Sequence, residues 1–265
     1  MPVREARKLI AVDLDQTLSD TLECLIEWHN DTYHTNLMMS DFNTLDYWKV
    51  WGGTREEGCR KIREFYSSSH FDRIKPIKDY ALEALKLLKK RHFQLVIITS
   101  RQQFVAEKTK KFIDRHYPGI FESIYFCNLN LSEKERLEYI SKPKSVVCQE
   151  IGVDVLIDDS IEHALDCSHL NMNILLYDKQ GKYNWNHYQK QLPNNVNRVF
   201  NWKQVMTQFP KPSSPLKYCI YSFDEPDPCY FYTPCYQYET IEVEEELTDD
   251  EFSFNHYTKD NSVWV

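Results

Sequence analysis

The stretch Lys8-Leu-Ile-Ala-Val-Asp-Leu-Asp-Gln-Thr-Leu18 decides how this chain is read. Leu9 to Val12 is an apolar run of strand length. It delivers Asp13 and Asp15, with Thr17 two residues further on, to the point where a buried strand must turn out of the core. In an open α/β sheet the ligand sits beyond the carboxyl ends of the strands, so carboxylates at that point suggest a site. A simple acidic turn is the plainer reading, since Asp is common in turns. Which of the two holds depends on the rest of the chain.

Working outward, Ser19 to Tyr33 carries Leu22, Leu25, Ile26 and Trp28 at helical spacing and predicts a helix. Met38 to Tyr80 is rich in aromatics and contains the Gly52-Gly53 turn. A further helix is expected from Thr54 to Tyr66, opening on Thr54-Arg-Glu-Glu57 in the pattern of a capping box. Residues 19–78 therefore form a small helical insert between two core strands. Beyond Pro76 the alternation is regular. A helix over Asp79–Arg91 precedes the strand Phe93–Ile98, which ends at Thr99-Ser100-Arg101. A helix over Gln103–His116, a strand over Ser123–Phe126 and a helix over Lys144–Ile151 follow. The strand Val153–Ile157 ends in Asp158-Asp159-Ser160. A helix over Glu162–His169, a strand over Asn173–Tyr177, an edge strand at Arg198–Phe200 and a helix over Trp202–Phe209 complete the series. This rhythm predicts an α/β fold: a three-layer, Rossmann-like core with a central parallel sheet, right-handed crossovers and helices on both faces. Residues 1–18 and 79–209 make up the core, and residues 210–265 a Pro-rich linker with an acidic, aromatic tail. The tail is expected to be solvated and disordered, docking onto the core or a protein partner being the other reading.

A formal net charge of -8 argues against a surface that coats nucleic acid, which draws its affinity from clustered Lys and Arg. It leaves room for a small anionic substrate whose charge a metal or a local cation handles. No apolar stretch reaches the length of a membrane span, and the first residues lack the apolar segment of a secretory signal, so a cytoplasmic or nuclear protein is expected. The eight cysteines are scattered without a C-x-x-C pair, as free thiols in a reducing compartment would be, and offer no zinc site. Nothing in the sequence speaks to the oligomeric state.

Three of the expected parallel strands end in polar residues: Asp13 and Asp15, then Thr99 and Ser100, then Asp158 and Asp159. If those strands are neighbours, all six side chains converge on one crevice. Four carboxylates packed together repel one another and push pKa values upward unless a cation sits among them. A hard divalent cation with oxygen ligands answers that repulsion, most economically Mg2+.

Asp13-Leu-Asp-Gln-Thr-Leu18, Thr99-Ser100, Lys144 and Asp158-Asp159, in this order, resemble the four motifs of the haloacid dehalogenase (HAD) superfamily of phosphohydrolases. The stretch from Lys144 to Ser160 resembles more narrowly the 5'(3')-deoxyribonucleotidases and related 5'-nucleotidases, and the helical insert matches the cap position of that group. The resemblance implies that Asp13 is the nucleophile that forms an aspartyl-phosphate. It makes Asp15 the general acid and then the base, and has Thr99 and Ser100 bind the transferring phosphoryl group with help from Thr17. Lys144 would neutralise charge on that group, Lys142 being the alternative lysine. The metal would be held by Asp13, the carbonyl of Asp15 and Asp159, with Asp158 orienting the lysine or a metal-bound water. Arg101 either reaches the substrate or pairs with an acidic neighbour. In the insert, Phe42, Trp48 and Trp51 either stack on a substrate base or fill the cap's own core, and Trp48 is the candidate for substrate contact.

The expected activity is a Mg2+-dependent phosphomonoesterase acting on nucleoside monophosphates. A phosphatase of a sugar phosphate or another small metabolite is the alternative, since only the cap would differ. Asp15 weighs against dehalogenation, which does not need an acid/base carboxylate there. A non-catalytic interaction protein that uses the tail is a further reading, weakened by the completeness of the catalytic set.

Overall fold

The computed structural model describes residues 8–187 and 191–209. The expected linker and tail, 210–265, lie outside the described residues. The chain divides into two units, Met1–Val205 and Met206–Val265; of the second, only residues 206–209, which include the end of the last helix, are described.

In chain order the main elements are β1 (Leu9–Val12), α1 (Thr21–Tyr33), α2 (Tyr47–Trp51), α3 (Arg55–Ser67), α4 (Ala81–Lys90), β2 (Gln94–Thr99) and α5 (Ala106–His116). They continue with β3 (Ser123–Phe126), α6 (Lys144–Ile151), β4 (Val155–Asp158), α7 (Ile161–Cys167), β5 (Asn173–Tyr177), β6 (Val196–Val199) and α8 (Trp202–Thr207). The six strands form one sheet in the order β3-β2-β1-β4-β5-β6, every pair parallel. Ala11 stands beside Val96 on one side and Leu156 on the other. One face, with Ala11, Ile98, Leu156 and Ile174, packs with Val147, Cys148, Ala164 and Cys167 of α6 and α7. The alternate residues Ile10, Val12, Ile97 and Ile157 are buried as well, which explains why these strands read as continuous apolar runs.

Strand order is what builds the site. β1 lies between β2 and β4, so the polar endings at Asp13, Thr99 and Asp158 are neighbours, as the sequence requires. Beyond Asp13 the chain turns through Gln16 in the left-handed region (φ 64°). The Gln16 side chain offsets that unusual backbone by accepting the Leu22 N–H at 2.6 Å near the start of α1. Three ring donors hold the loop's carbonyls: the Tyr183 hydroxyl donates to Gln16 O (2.8 Å), the Trp202 indole to Thr17 O (3.1 Å) and the Tyr117 hydroxyl to Leu18 O (2.7 Å).

The insert leaves and rejoins the core side by side. Asp20 N donates to Lys75 O (3.0 Å) and Ile77 N to Leu18 O (2.9 Å), with Ser19 and Pro76 bridged antiparallel. Inside it the capping box at Thr54 and Glu57 forms as expected, with both hydrogen bonds present. Trp28, Phe65 and Phe71 are buried against one another. The short helix α2 was not expected from sequence: five residues present too little periodicity to separate it from a loop.

Candidate active site

Asp13, Asp158 and Asp159 are all buried and can each direct a carboxylate oxygen to within 4.8 Å of the others. Lys144, the first residue of α6, is 1% exposed and donates to Asp13 Oδ1 and, at 2.5 Å, to Asp158 Oδ2. Lys142 instead pairs with Glu150 at the surface, so of the two lysines only Lys144 reaches the aspartates. Asp158 Oδ1 accepts the Ser160 N–H at 2.9 Å and contacts His163 Nδ1 at 3.2 Å. Both oxygens of Asp158 are thereby engaged. Asp159 differs: its main-chain carbonyl accepts from the Trp185 indole and the Asn186 amide, while its buried Oδ2 has no partner.

Asp15 is held from the other side. Arg101, 3% exposed, donates from Nη2 to Asp15 Oδ1 at 2.6 Å and from Nε to Oδ2 at 3.0 Å, and Thr21 Oγ1 donates to Oδ1 at 2.5 Å. Of the two readings open for Arg101, the structure has the ion pair. Thr99 is buried at the end of β2, its Oγ1 accepting the Arg101 N–H at 3.2 Å. Ser100 follows it, half-buried, its carbonyl accepting from Leu129 N at 3.1 Å. Thr17 Oγ1 is buried with no partner.

Burial and charge act on these carboxylates in different directions. Burial lifts the Asp13 carboxyl to about 6, against the pull of Lys144 and with the push of Asp158 and Asp15. Burial, with the charges of Asp13 and Asp158, raises Asp159 well above the carboxylate range. For Asp15 burial is outweighed by Arg101, which holds it below its ordinary value. Lys144 and His163 outweigh burial at Asp158 in the same way. A buried, unpartnered carboxylate oxygen beside a second raised carboxylate is what a cation site looks like without its cation. The donor set is all oxygen, and it fits a hard divalent ion held by Asp13 and Asp159.

Above the carboxylates the insert contributes a residue that the sequence reading passed over. Tyr47, on α2, is raised well above the ordinary tyrosine value by burial first and then by charges that include those of Asp15, Asp159 and Asp13. Its ring meets Phe42 and Trp51 at 5.9 and 5.6 Å. Trp48 lies with its Cβ against Gly58 of α3, where an added Cβ would come within 2.6 Å of it. Tyr47 and Trp48 are adjacent aromatics in one turn, and only the helix phase separates them. His163, in the first turn of α7, reaches Asp158 as well, and its spacing of five residues from Asp158 was the available signal.

The family model for the 5' nucleotidase, deoxy (pyrimidine), cytosolic type C proteins matches residues 7–209. The chain belongs to this family. A Bacillus cereus protein named "Putative nucleotidase" is 24% identical over 197 residues, which is 73% of this chain and 93% of that protein. Among solved structures, a haloacid dehalogenase-like family hydrolase from Streptococcus pneumoniae superposes with a TM-score of 0.54 at 13% identity, over 77% of this chain and 99% of that one. A "predicted phosphatase" from Clostridium acetobutylicum gives a TM-score of 0.53 at 18% identity, over 77% of this chain and all of that one. The core is thus the HAD fold, and membership of the nucleotidase family makes the chain a phosphatase of the 5'-nucleotidase kind.

Proposed function

We propose that the chain hydrolyses the phosphomonoester of (deoxy)nucleoside monophosphates through an aspartyl-phosphate on Asp13, with Mg2+ as its cation. The observation that carries this reading is Asp13 itself, buried, flanked by the Lys144 ammonium on one side and the unpartnered Asp159 oxygen on the other. Asp13 attacks phosphorus, so that one hard displacement becomes two easier ones. Lys144 stays on Asp13 and meets the charge of the phosphoryl oxygens, while Asp158, gripped by Ser160 N and His163, keeps the lysine aimed. Thr99 and Ser100 hold the phosphoryl group at the end of β2, and Thr17 has a free hydroxyl to add. Asp15 takes up a proton from solvent as its grip by Arg101 loosens, gives it to the leaving oxygen, and as a carboxylate then removes one from the water that attacks the aspartyl-phosphate and frees Asp13. Asp13, the carbonyl of Asp15 and Asp159 would hold Mg2+, which would supply positive charge to offset that of the phosphate.

Residues 19–78 act in this reading as the cap that chooses the leaving group, over a core of 1–18 and 79–209. The antiparallel bridge between Ser19 and Pro76, where the chain leaves and rejoins the core, supports that division. Among the described residues no helix is long and apolar enough to cross a membrane. Action on a small phosphorylated metabolite in the cytoplasm agrees with that and with the family. The test is phosphate release from a panel of deoxy- and ribonucleoside monophosphates and sugar phosphates, with Mg2+ or with chelator, for the native chain and Asp13→Asn. Release from nucleoside monophosphates that needs Mg2+ and falls by at least about 10⁴-fold in Asp13→Asn is expected. A preference for sugar phosphates would move the substrate class, and equal release from both chains would remove Asp13 from the chemistry.

A further inference from the structure

Beside the catalytic carboxylates, on the far side of Arg101, lies a second cavity of about 340 Å³, within the size range of small-ligand sites. Its wall is one face of α5, where Lys108, Lys111, Phe112 and Arg115 recur at helical spacing. Arg101 and Phe71 line the opposite side. The cations there are not matched by carboxylates. Lys108 is paired with Asp72 at 3.0 Å, the one acidic residue in the lining. Among the described residues Lys111 and Arg115 have no ion pair, in a chain whose formal net charge is -8. His116, also in the lining, is shifted toward its neutral form by burial and by Arg115, so the positive charge of the cavity rests on the lysines and arginines.

The buried cation in this lining is the one that holds Asp15. Arg101 sends Nε and Nη2 to Asp15 and Nη1 to Thr109 of α5 at 3.0 Å, with its guanidinium 5.0 Å from the Phe71 ring centroid. One guanidinium thus forms both the lock on Asp15 and part of the cavity wall.

We propose that this cavity is a binding site, separate from the catalytic centre, for a small polyphosphate anion, a di- or triphosphate carried by a nucleoside or free. Two unpaired cations one helical turn apart suit adjacent phosphates better than a single carboxylate. Phe71 and Phe112 give an attached base an apolar wall. An extended nucleic acid does not suit a cavity of this size in an acidic chain. Because Arg101 is shared, the anion and Asp15 compete for one guanidinium, and binding at the cavity weakens the lock on Asp15.

The test is calorimetric titration of the metal-free native chain with pyrophosphate and, separately, with ATP. The metal-free chain lacks the divalent ion that would hold a phosphate in the catalytic crevice, and the Lys111→Gln/Arg115→Gln variant, which leaves that crevice intact, assigns the titration to the cavity. One anion per chain is expected. Binding should weaken at least tenfold in Lys111→Gln/Arg115→Gln. Lys110→Gln serves as the control, since Lys110 pairs with Asp114 on the same helix and does not line the cavity; it should bind as the native chain does. Tighter binding of ATP than of pyrophosphate identifies a nucleotide as the ligand, and equal binding identifies the phosphates alone; either supports the site. Asp15→Asn, which frees Arg101, should tighten binding severalfold. No binding, or equal loss in the Lys110 and Lys111/Arg115 variants, overturns the site, and unchanged affinity in Asp15→Asn overturns the sharing of Arg101. Lys111 and Arg115 lie outside the catalytic machinery, so kcat/KM for the monophosphate without added effector should stay within about twofold in their variant, as for ordinary surface substitutions. The titration needs no turnover, so it stands apart from the fate of the nucleotidase reading.

Discussion

At the carboxyl ends of β1, β2 and β4, charges hold charges: Lys144 between Asp13 and Asp158, Arg101 on Asp15. In the insert, rings hold rings: Trp28 against Phe65, and His29 stacked on Trp51 at 4.9 Å. The two regions differ in how much freedom their chemistry leaves. A buried charge must meet its partner at hydrogen-bond distance or cost several kcal/mol, so few arrangements are allowed. Ring packing is tolerant, and neighbouring aromatics can exchange places with little change in buried area. Substitutions in the first region should therefore be drastic, and in the second graded.

The largest effect is expected at Lys144. Lys144→Met leaves Asp13 and Asp158 buried without their cation, which should cost about 3–5 kcal/mol in urea unfolding. It should also lower kcat on the order of 10²–10³-fold. A stable, active Lys144→Met chain would break the claim that charge dictates this region. Next comes the cation. The folded metal-free chain keeps a proton on Asp13 up to about 6, whereas the unfolded chain gives it up near 3.8. The folded state binds the extra proton between those values, so this group makes stability fall as pH rises through that window. Mg2+ at about 100 times its dissociation constant should restore roughly 2.7 kcal/mol, read as a rise in Tm. That gain should be full above about pH 6 and shrink below it as the proton competes, and it should vanish in Asp159→Asn. An equal gain at about pH 5 and about pH 8 would sever the proton from the metal.

Within the insert, Tyr47→Phe should change kcat/KM for the preferred substrate about tenfold, a loss of about 1.4 kcal/mol. Trp48→Ala should leave KM near native and lower stability instead. The reverse pattern would return Trp48 to the role expected of it from sequence. The smallest effect belongs to Thr54→Ala, which removes the capping box at the start of α3 and should cost about 1 kcal/mol with kcat unchanged.

The contrast also marks what could be read before any coordinates. The spans of β1, β3, β5 and α6 agree with expectation residue for residue: the strands are mostly apolar segments, and α6 is bounded by Pro143 and Gly152. The strand ends were legible for the same reason, and with them the convergence of Asp13, Thr99 and Asp158. Lys144 could be favoured over Lys142 only by its place at the head of α6, and its burial settles the geometry. The grip of Arg101 on Asp15 joins residues 86 apart in sequence, and no local pattern announces it. Tyr47 was hidden by a helix of five residues, too short to give its face a period. The strand expected over Val153–Ile157 is found over Val155–Asp158, and just before it the Asp154 carboxylate accepts the Leu9 N–H at 2.7 Å.

The three ring donors on the loop after β1 carry a consequence in time. The carbonyl of Thr17, four residues after Asp13, waits for Trp202, 185 residues later. At about 5–20 residues per second, that interval is on the order of ten to forty seconds. During synthesis the carboxylate pair therefore sits on a loop whose last clamp does not yet exist, and a nascent chain should release no phosphate until α8 has been made.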